Sequence, residues 1–222
     1  LLQLQADGLI MLGPMMGAST IDAAARHVPV VVVGRKTRAK ALDSVRNDDE
    51  AGAAAVVDHL VALGHQRIAH IHAGAVGGSS GRRGGYERAM KRHGLWEFVR
   101  SVKGAFTEPG GMRAMRSIIQ SEVLPTAVFV ANDLAAMGAL EALADAGLRV
   151  PDDVSLVGYD DIITSHSARV ALTTVAQPSV EMGRTAVDLL VERLHKGRTE
   201  ARHIVLQPRL VVRGSTAAPG QP

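Results

Sequence analysis

The sequence contains no cysteine, which excludes disulfides and thiolate metal sites. No window approaches ~20 uninterrupted apolar residues, so a membrane-spanning helix is excluded too. There is no Walker A sequence, and no G-x-G-x-x-G follows an expected strand, so nucleotide hydrolysis and dinucleotide binding lack their usual carriers. Neither a fixed-period repeat nor an obvious single linker divides the chain. Lysine is scarce, supplying 5 of the 25 basic residues. With abundant Ala and Gly, the arginine-rich balance of +3 fits GC-rich codon usage as well as polyanion binding. The basic residues scatter except at Arg35, Lys36, Arg38 and Lys40, which follow an expected strand. Such runs usually face water, with partner contact the alternative.

What is present is a globular balance, 46% hydrophobic against 21% charged, in 222 residues. That length accommodates one large α/β domain or two lobes with separate cores. The clearest strand is 29–34, where four consecutive valines fit a sheet covered on both faces. Further strands are expected over 7–12, 44–47, 67–72, 98–105, 170–175, 204–206 and 210–213. Helices are expected from Ser19-Thr20 to His27 and over 48–63, 82–93, 110–121 and 179–195. The helix at 48–63 opens on Asp48-Asp49-Glu50, acidic at its positive dipole end. A glycine-serine loop spans 74–81, and the tail from Ala217 is expected to be disordered. Strands alternating with helices call for parallel sheets with right-handed crossovers.

The most informative stretch is 125–161. An apolar run (127–131) leads into Asn132-Asp133. An amphipathic run with Ala136, Leu140, Leu143 and Gly147 at helical spacing follows, then a second apolar run (154–157) ending in Tyr159-Asp160-Asp161. Asn132 or Asp133 supplies an N-cap, and Gly147 suits the left-handed residue past the last turn. In open α/β sheets ligands lie beyond the carboxyl ends of the strands, which puts Asn132, Asp133, Asp160 and Asp161 at such a crevice.

The wording PTAVFVAND, LRVPDDVSLVGYDD and LTTVAQPSVEMG closely resembles the effector-binding domain of lactose-repressor-family transcription regulators. GAAAVVDHLVALGHQRIAHI (52–71), RRGGYERAM (82–90) and LVVRGSTA (210–217) resemble the same family. The resemblance runs in order from about Asp7 to Ala217, with Val170-Ala171 standing where a proline usually precedes LTTV. It implies two similar lobes of parallel sheets flanked by helices, of the type I periplasmic-binding-protein kind. The first lobe is expected at 7–47 plus 179–206, truncated at its N-terminus, and the second at 48–176 plus 208–214, with 215–222 as a disordered tail. It also implies opening strands and a DNA-binding helix-turn-helix ahead of the segment matching DGLI. The chain begins with Leu, and the natural protein is expected to extend N-terminally.

A sugar-like ligand needs planar groups with several hydrogen-bond sites and an apolar surface for its ring. Asp160 accepts two hydroxyl hydrogens, Arg82 offers a fork of donors, Asn132 does both, and Phe106 covers a ring face. The resemblance assigns effector contact to the Arg of the RxxGY pattern at Arg82, the Asn of AND at Asn132, the first Asp of GYDD at Asp160 and the aromatic at Phe106. Arg83, Asp133 and Asp161 form a second tier. Plainer roles remain open: a cap or turn for Asp160, an N-cap for Asn132, a surface ion pair for Arg82, core for Phe106. Asp133 and Asp161 serve equally as caps or braces.

Two other patterns point elsewhere. Gly77-Gly78-Ser79-Ser80-Gly81 satisfies G-x-S-x-G, yet Ala73–Val76 separate it from its strand, unlike a nucleophile elbow. His70 and His72 share a strand face but have no evident third ligand, so neither metal nor cofactor is expected. The reading is a non-enzymatic effector-sensing and dimerisation domain of a cytoplasmic regulator. It binds a small sugar-like molecule between its lobes, forms a homodimer, reaches operator DNA through the missing headpiece and does not engage a membrane. The alternative is a periplasmic sugar-binding protein of a transport system.

Overall fold

The computed structural model describes residues 6–37, 39–166 and 171–220. The chain divides into two compact units, one from the segment up to Asp48 with Pro178–Gln207, the other from Asp49–Gln177 with the segment from Pro208.

The first unit has a four-stranded sheet in the order β1 (Leu9–Leu12), β2 (Val30–Val33), β3 (Asp43–Asn47), β9 (His203–Leu206), all parallel. The valines of β2 divide by alternation. Val30 and Val32 pack with Ile21 of helix α1 (Ala18–Ala25), while Val31 and Val33 pack with Met182, Ala186 and Leu189 of α6 (Ser179–Lys196). Both faces of β2 are thus covered by helices, as a run without polar alternation requires. The half-buried Arg35 donates through Nη1 to the carbonyls of Pro14 (3.2 Å) and Met16 (2.5 Å) after β1. Arg38 of the same basic cluster lies outside the described residues.

The second unit is built on a six-stranded sheet in the order β10 (Arg209–Val211), β8 (Thr173–Ala176), β7 (Ser155–Asp160), β6 (Ala127–Val130), β4 (Ile68–His72), β5 (Arg100–Lys103). Every pair is parallel except β10 with β8. Alternation again sorts the core. Val128 and Val130 of β6 face α4 (Glu108–Ile119) and α5 (Asp133–Asp145); Ala127 and Phe129 face α2 (Asp49–Ala62) and α3 (Ser79–Arg92).

Several expected bounds move. Helix α3 begins at Ser79, inside the expected loop, because the Ser79 hydroxyl is buried and accepts the backbone N–H of Ala73 at 2.8 Å. The strand expected at 98–105 is only Arg100–Lys103, since a 3-10 turn, Trp96–Phe98, occupies its start. The strand expected from 170 begins at Thr173, and Val170 itself lies outside the described residues. The tail expected to be disordered from 215 is instead tied to β7. Ser215 donates to Leu156 O at 2.6 Å, Ala217 N donates to Ser155 Oγ, and Ala217 O accepts from His65 at 2.8 Å. These bonds satisfy backbone that sequence polarity alone leaves to solvent. Gln221 and Pro222 lie outside the described residues. No helix is long and apolar enough to cross a membrane among those described.

Candidate functional site

At the carboxyl ends of β4, β6 and β7, three elements of the second unit converge on one side chain. Arg82, in the first turn of α3, is 5% exposed. Its Nε donates to Asp49 at 2.9 Å, its Nη1 to the carbonyl of Ala131, and its guanidinium lies 3.7 Å from the centre of the Tyr159 ring. Nη2 makes no hydrogen bond among the described residues and faces Asp160 Oδ1 at 3.7 Å. Burial opposes the Arg82 charge, but Asp49 and then Asp160 outweigh it and raise its pKa. Asp160 is pushed up by burial, against the pull of Arg82 and of Gln177, whose Nε2 donates to Oδ1 at 2.6 Å.

The backbone marks the same spot. Asp160 has φ 114° and Asp161 φ 57°, where side chains with a Cβ are crowded. Such a residue costs about 1–3 kcal/mol and persists only where neighbours over-determine it. Here Gln177 holds Asp160, and Arg213 holds Asp161 at 2.5 Å.

Asn132 is the N-cap of α5, accepting from Ala135 N at 3.0 Å while donating to Phe106 O at 3.3 Å. One N–H and one lone pair of the amide remain. The half-buried Phe106 ring lies 5.6 Å from the Arg82 guanidinium. Arg82, Asp160, Asn132 and Phe106 are therefore neighbours. Arg83 is not among them, since it is exposed and pairs with Glu87 at 2.8 Å one turn along α3. Asp161 engages Arg213 and Ser165. Asp49, Tyr159 and Gln177 were not singled out from sequence as site residues. In the sequence Asp49 has the ordinary look of an acidic helix start, and Gln177 stands in the LTTVAQPSVEMG stretch just ahead of the helix expected at 179–195.

Asp133 is fully enclosed and accepts from Thr174 Oγ1 (2.6 Å) and Ile162 N (3.0 Å), bracing the chain after β7. Its carboxylate fills the space where a Cβ on Gly158 would stand. Burial pushes its pKa up to about 6, against those hydrogen bonds. Between about pH 4 and 6 the folded chain keeps a proton that the unfolded chain releases, so this group lowers stability as pH rises. The expected loss is on the order of 2–3 kcal/mol. Urea melts at about pH 4.5 and 7.5 read it as a stability that falls in the wild type relative to Asp133→Asn. A pH-independent difference between the two would show an ordinary carboxyl.

The competing patterns resolve as structure. Ser79 Oγ is enclosed and bound to backbone. His70 donates from Nδ1 to Phe129 O (3.0 Å) and stacks on that ring at 4.5 Å, and burial holds it neutral with a pKa of about 3. His72 Nδ1 accepts from Gly74 N at 3.0 Å. No group of three potential metal ligands occurs among the described residues.

Comparison with known proteins gives the lineage. Residues 57–216 match the periplasmic binding protein-like domain. The chain is 33% identical over 223 residues to the HTH-type transcriptional repressor PurR of Edwardsiella ictaluri, covering 98% of this chain and 65% of the repressor. The chain thus spans just under two thirds of that relative's length. A LacI transcriptional regulator from a Rhodococcus species superposes with a TM-score of 0.96 at 36% identity, over 99% of this chain and 81% of that one. A LacI family regulator from Enterococcus faecium with bound ribose superposes at 0.89 and 29% identity, over 97% and 81%. These relatives are regulators and repressors rather than enzymes. On the strength of the domain match and the Rhodococcus likeness, the chain belongs to the LacI family of transcriptional regulators and carries their periplasmic-binding-protein-like domain.

Proposed function

We propose that this chain is the effector-sensing and dimerisation part of a cytoplasmic, DNA-binding transcription regulator. It holds a small polar molecule, a sugar or nucleoside, against Arg82, Asp160, Asn132 and Phe106. The observation that carries this is the state of Arg82. Asp49, Ala131 O and Tyr159 fix its guanidinium, while Nη2 stands beside the Asp160 carboxylate and makes no hydrogen bond among the described residues. An immobilised donor next to an acceptor matches a hydroxyl pair on a ring, and the Phe106 face suits the ring's apolar side. The ribose carried by the Enterococcus faecium relative supports a hydroxyl-rich ligand. Occupancy would bias a homodimer between arrangements of different operator affinity, since a ligand shifts an equilibrium only by its differential binding.

The test is a thermal-shift screen of the full chain against pentoses, hexoses, disaccharides and nucleosides, followed by calorimetry on the hits. In Asp160→Ala the affinity of a hit is expected to fall roughly 10- to 100-fold, the range for losing a charged hydrogen-bond acceptor. An unchanged affinity in that variant would remove Asp160 from the site.

A further inference from the structure

We infer that Asp49 sets the charge of the ligand, so that the site takes an uncharged polyhydroxylated molecule and rejects its phosphate esters and other anions. This rests on the proposed reading of the Arg82–Asp160 site and adds to it the class of molecule admitted.

Asp49 opens α2, and its side chain is only 15% exposed. The first turn of α3 closes directly over it. A Cβ on Gly78 would meet Asp49 Oδ1 at 2.5 Å, and one on Gly81 would meet Asp49 Cβ at 2.9 Å. Two small residues thus make room for this carboxylate, which reaches Arg82 Nε at 2.9 Å. The hydrogen bond itself does not require an acid, because an asparagine amide oxygen of the same size also accepts from Nε. What aspartate adds is charge.

Among the described residues, the neighbouring charges compensate that addition only in part. Arg82 is a single cation facing two carboxylates, Asp49 at 2.9 Å and Asp160 at 3.7 Å. Asp161 and Arg213 neutralise each other at 2.5 Å, and Asp133 is enclosed behind the site. Lys103, at the end of edge strand β5, is exposed to solvent. Among the described residues, the charges meeting the ligand are one cation against two anions, in surroundings where screening is weak. Hydroxyl groups satisfy both Arg82 Nη2 and Asp160 under that balance. A phosphate would gain one guanidinium already shared between two carboxylates and would oppose both of them. Selectivity by repulsion of this kind needs no contact with the rejected group.

Calorimetry on the full chain tests this with three pairs of probes: D-ribose and ribose 5-phosphate, D-glucose and glucose 6-phosphate, adenosine and adenosine 5′-monophosphate. Each is measured with wild type, Asp49→Asn and Asp49→Ser, the second replacement keeping a residue suited to a helix start if the first fails to melt cooperatively. In any pair that binds, the uncharged member is expected to be roughly tenfold tighter or more, and either substitution should narrow that gap roughly tenfold. A phosphate ester binding as tightly as its parent in wild type overturns the inference, as does a gap unchanged in the variants. Both outcomes leave the ligand-sensing reading standing. If neither these probes nor any pentose, hexose, disaccharide or nucleoside of the thermal-shift screen binds, the sugar or nucleoside reading itself falls and takes this inference with it.

Discussion

Replacing Gly138 by alanine is expected to destabilise the chain by about 3 kcal/mol or more, and replacing it by valine to prevent cooperative folding of the second unit. Helices α4 and α5 approach backbone to backbone. A Cβ at Gly138 would collide with the carbonyl of Glu108 in the first turn of α4, and a Cβ at Gly111 would collide with the carbonyl of Ala135 in α5. Neither obstacle is a flexible side-chain end, so one helix must move bodily. That movement would open the contact surface holding Met115, Ile118, Ala139 and Leu143, all buried in one cluster. Propensity alone predicts the opposite sign, because alanine exceeds glycine in a helix interior by about 1 kcal/mol. Gly183 in α6 supplies the control, since a Cβ there meets nothing within 4 Å. Gly183→Ala is therefore expected to stabilise by about 0.5–1 kcal/mol. Urea denaturation followed by circular dichroism compares the two alanine variants directly. Should both shift the midpoint upward, the close approach of α4 and α5 is wrong.

The glycines show where sequence reading reaches its limit. Periodicity located the helix containing Gly138, because Ala136, Leu140 and Leu143 repeat at helical spacing. It said nothing of which helix would lie against it, since a residue chosen for what it lacks leaves no apolar signal. The valine run of β2 was legible for the opposite reason: four residues with no polar alternation demand two covered faces. Local chemistry also placed the strand ends, so Asn132 and Asp160 could be named from their positions after apolar runs. Their supports could not. Asp49 lies 33 residues before Arg82, and Gln177 lies 17 after Asp160. Both sit at helix boundaries where an acidic or polar residue has an ordinary local explanation. The Ser215–Ala217 segment was misjudged in the same way, because its partners Leu156, Ser155 and His65 are distant in sequence. Contacts between residues far apart in sequence decide these cases, and a single chain displays no mark of them.

Asp43→Ala is expected to cost the first unit about 3–5 kcal/mol, the range for removing one partner of a buried ionic group. Asp43 opens β3 with no exposed surface. Arg193 grips it through Nε (2.7 Å) and Nη2 (3.1 Å), Arg198 through Nη2 (2.6 Å) and Nη1 (3.1 Å), and the backbone N–H of Arg202 donates at 2.7 Å. One carboxylate thereby joins β3, the last turn of α6 and the chain leading into β9. Burial by itself would raise its pKa, but the hydrogen bonds from Arg193, Arg198 and Arg202 prevail and hold it at about 2. Alanine would leave two guanidinium groups whose side chains are only 8% and 11% exposed. Glu192, 3.1 Å from Arg198, compensates one of them in part. Asparagine keeps an acceptor without the charge and is expected to fall between alanine and wild type. The pH dependence has a definite sign, because a depressed folded pKa makes the contribution full above the ordinary carboxyl value near 3.8 and lost as pH falls through about 2. Hydrogen exchange of β3 amides, compared between wild type and Asp43→Ala, should therefore show a protection difference that is constant from about pH 5 to 8. Equal protection of β3 in the two proteins would mean that the arginines are satisfied without this carboxylate, and that β3, α6 and β9 are joined by their apolar contacts alone.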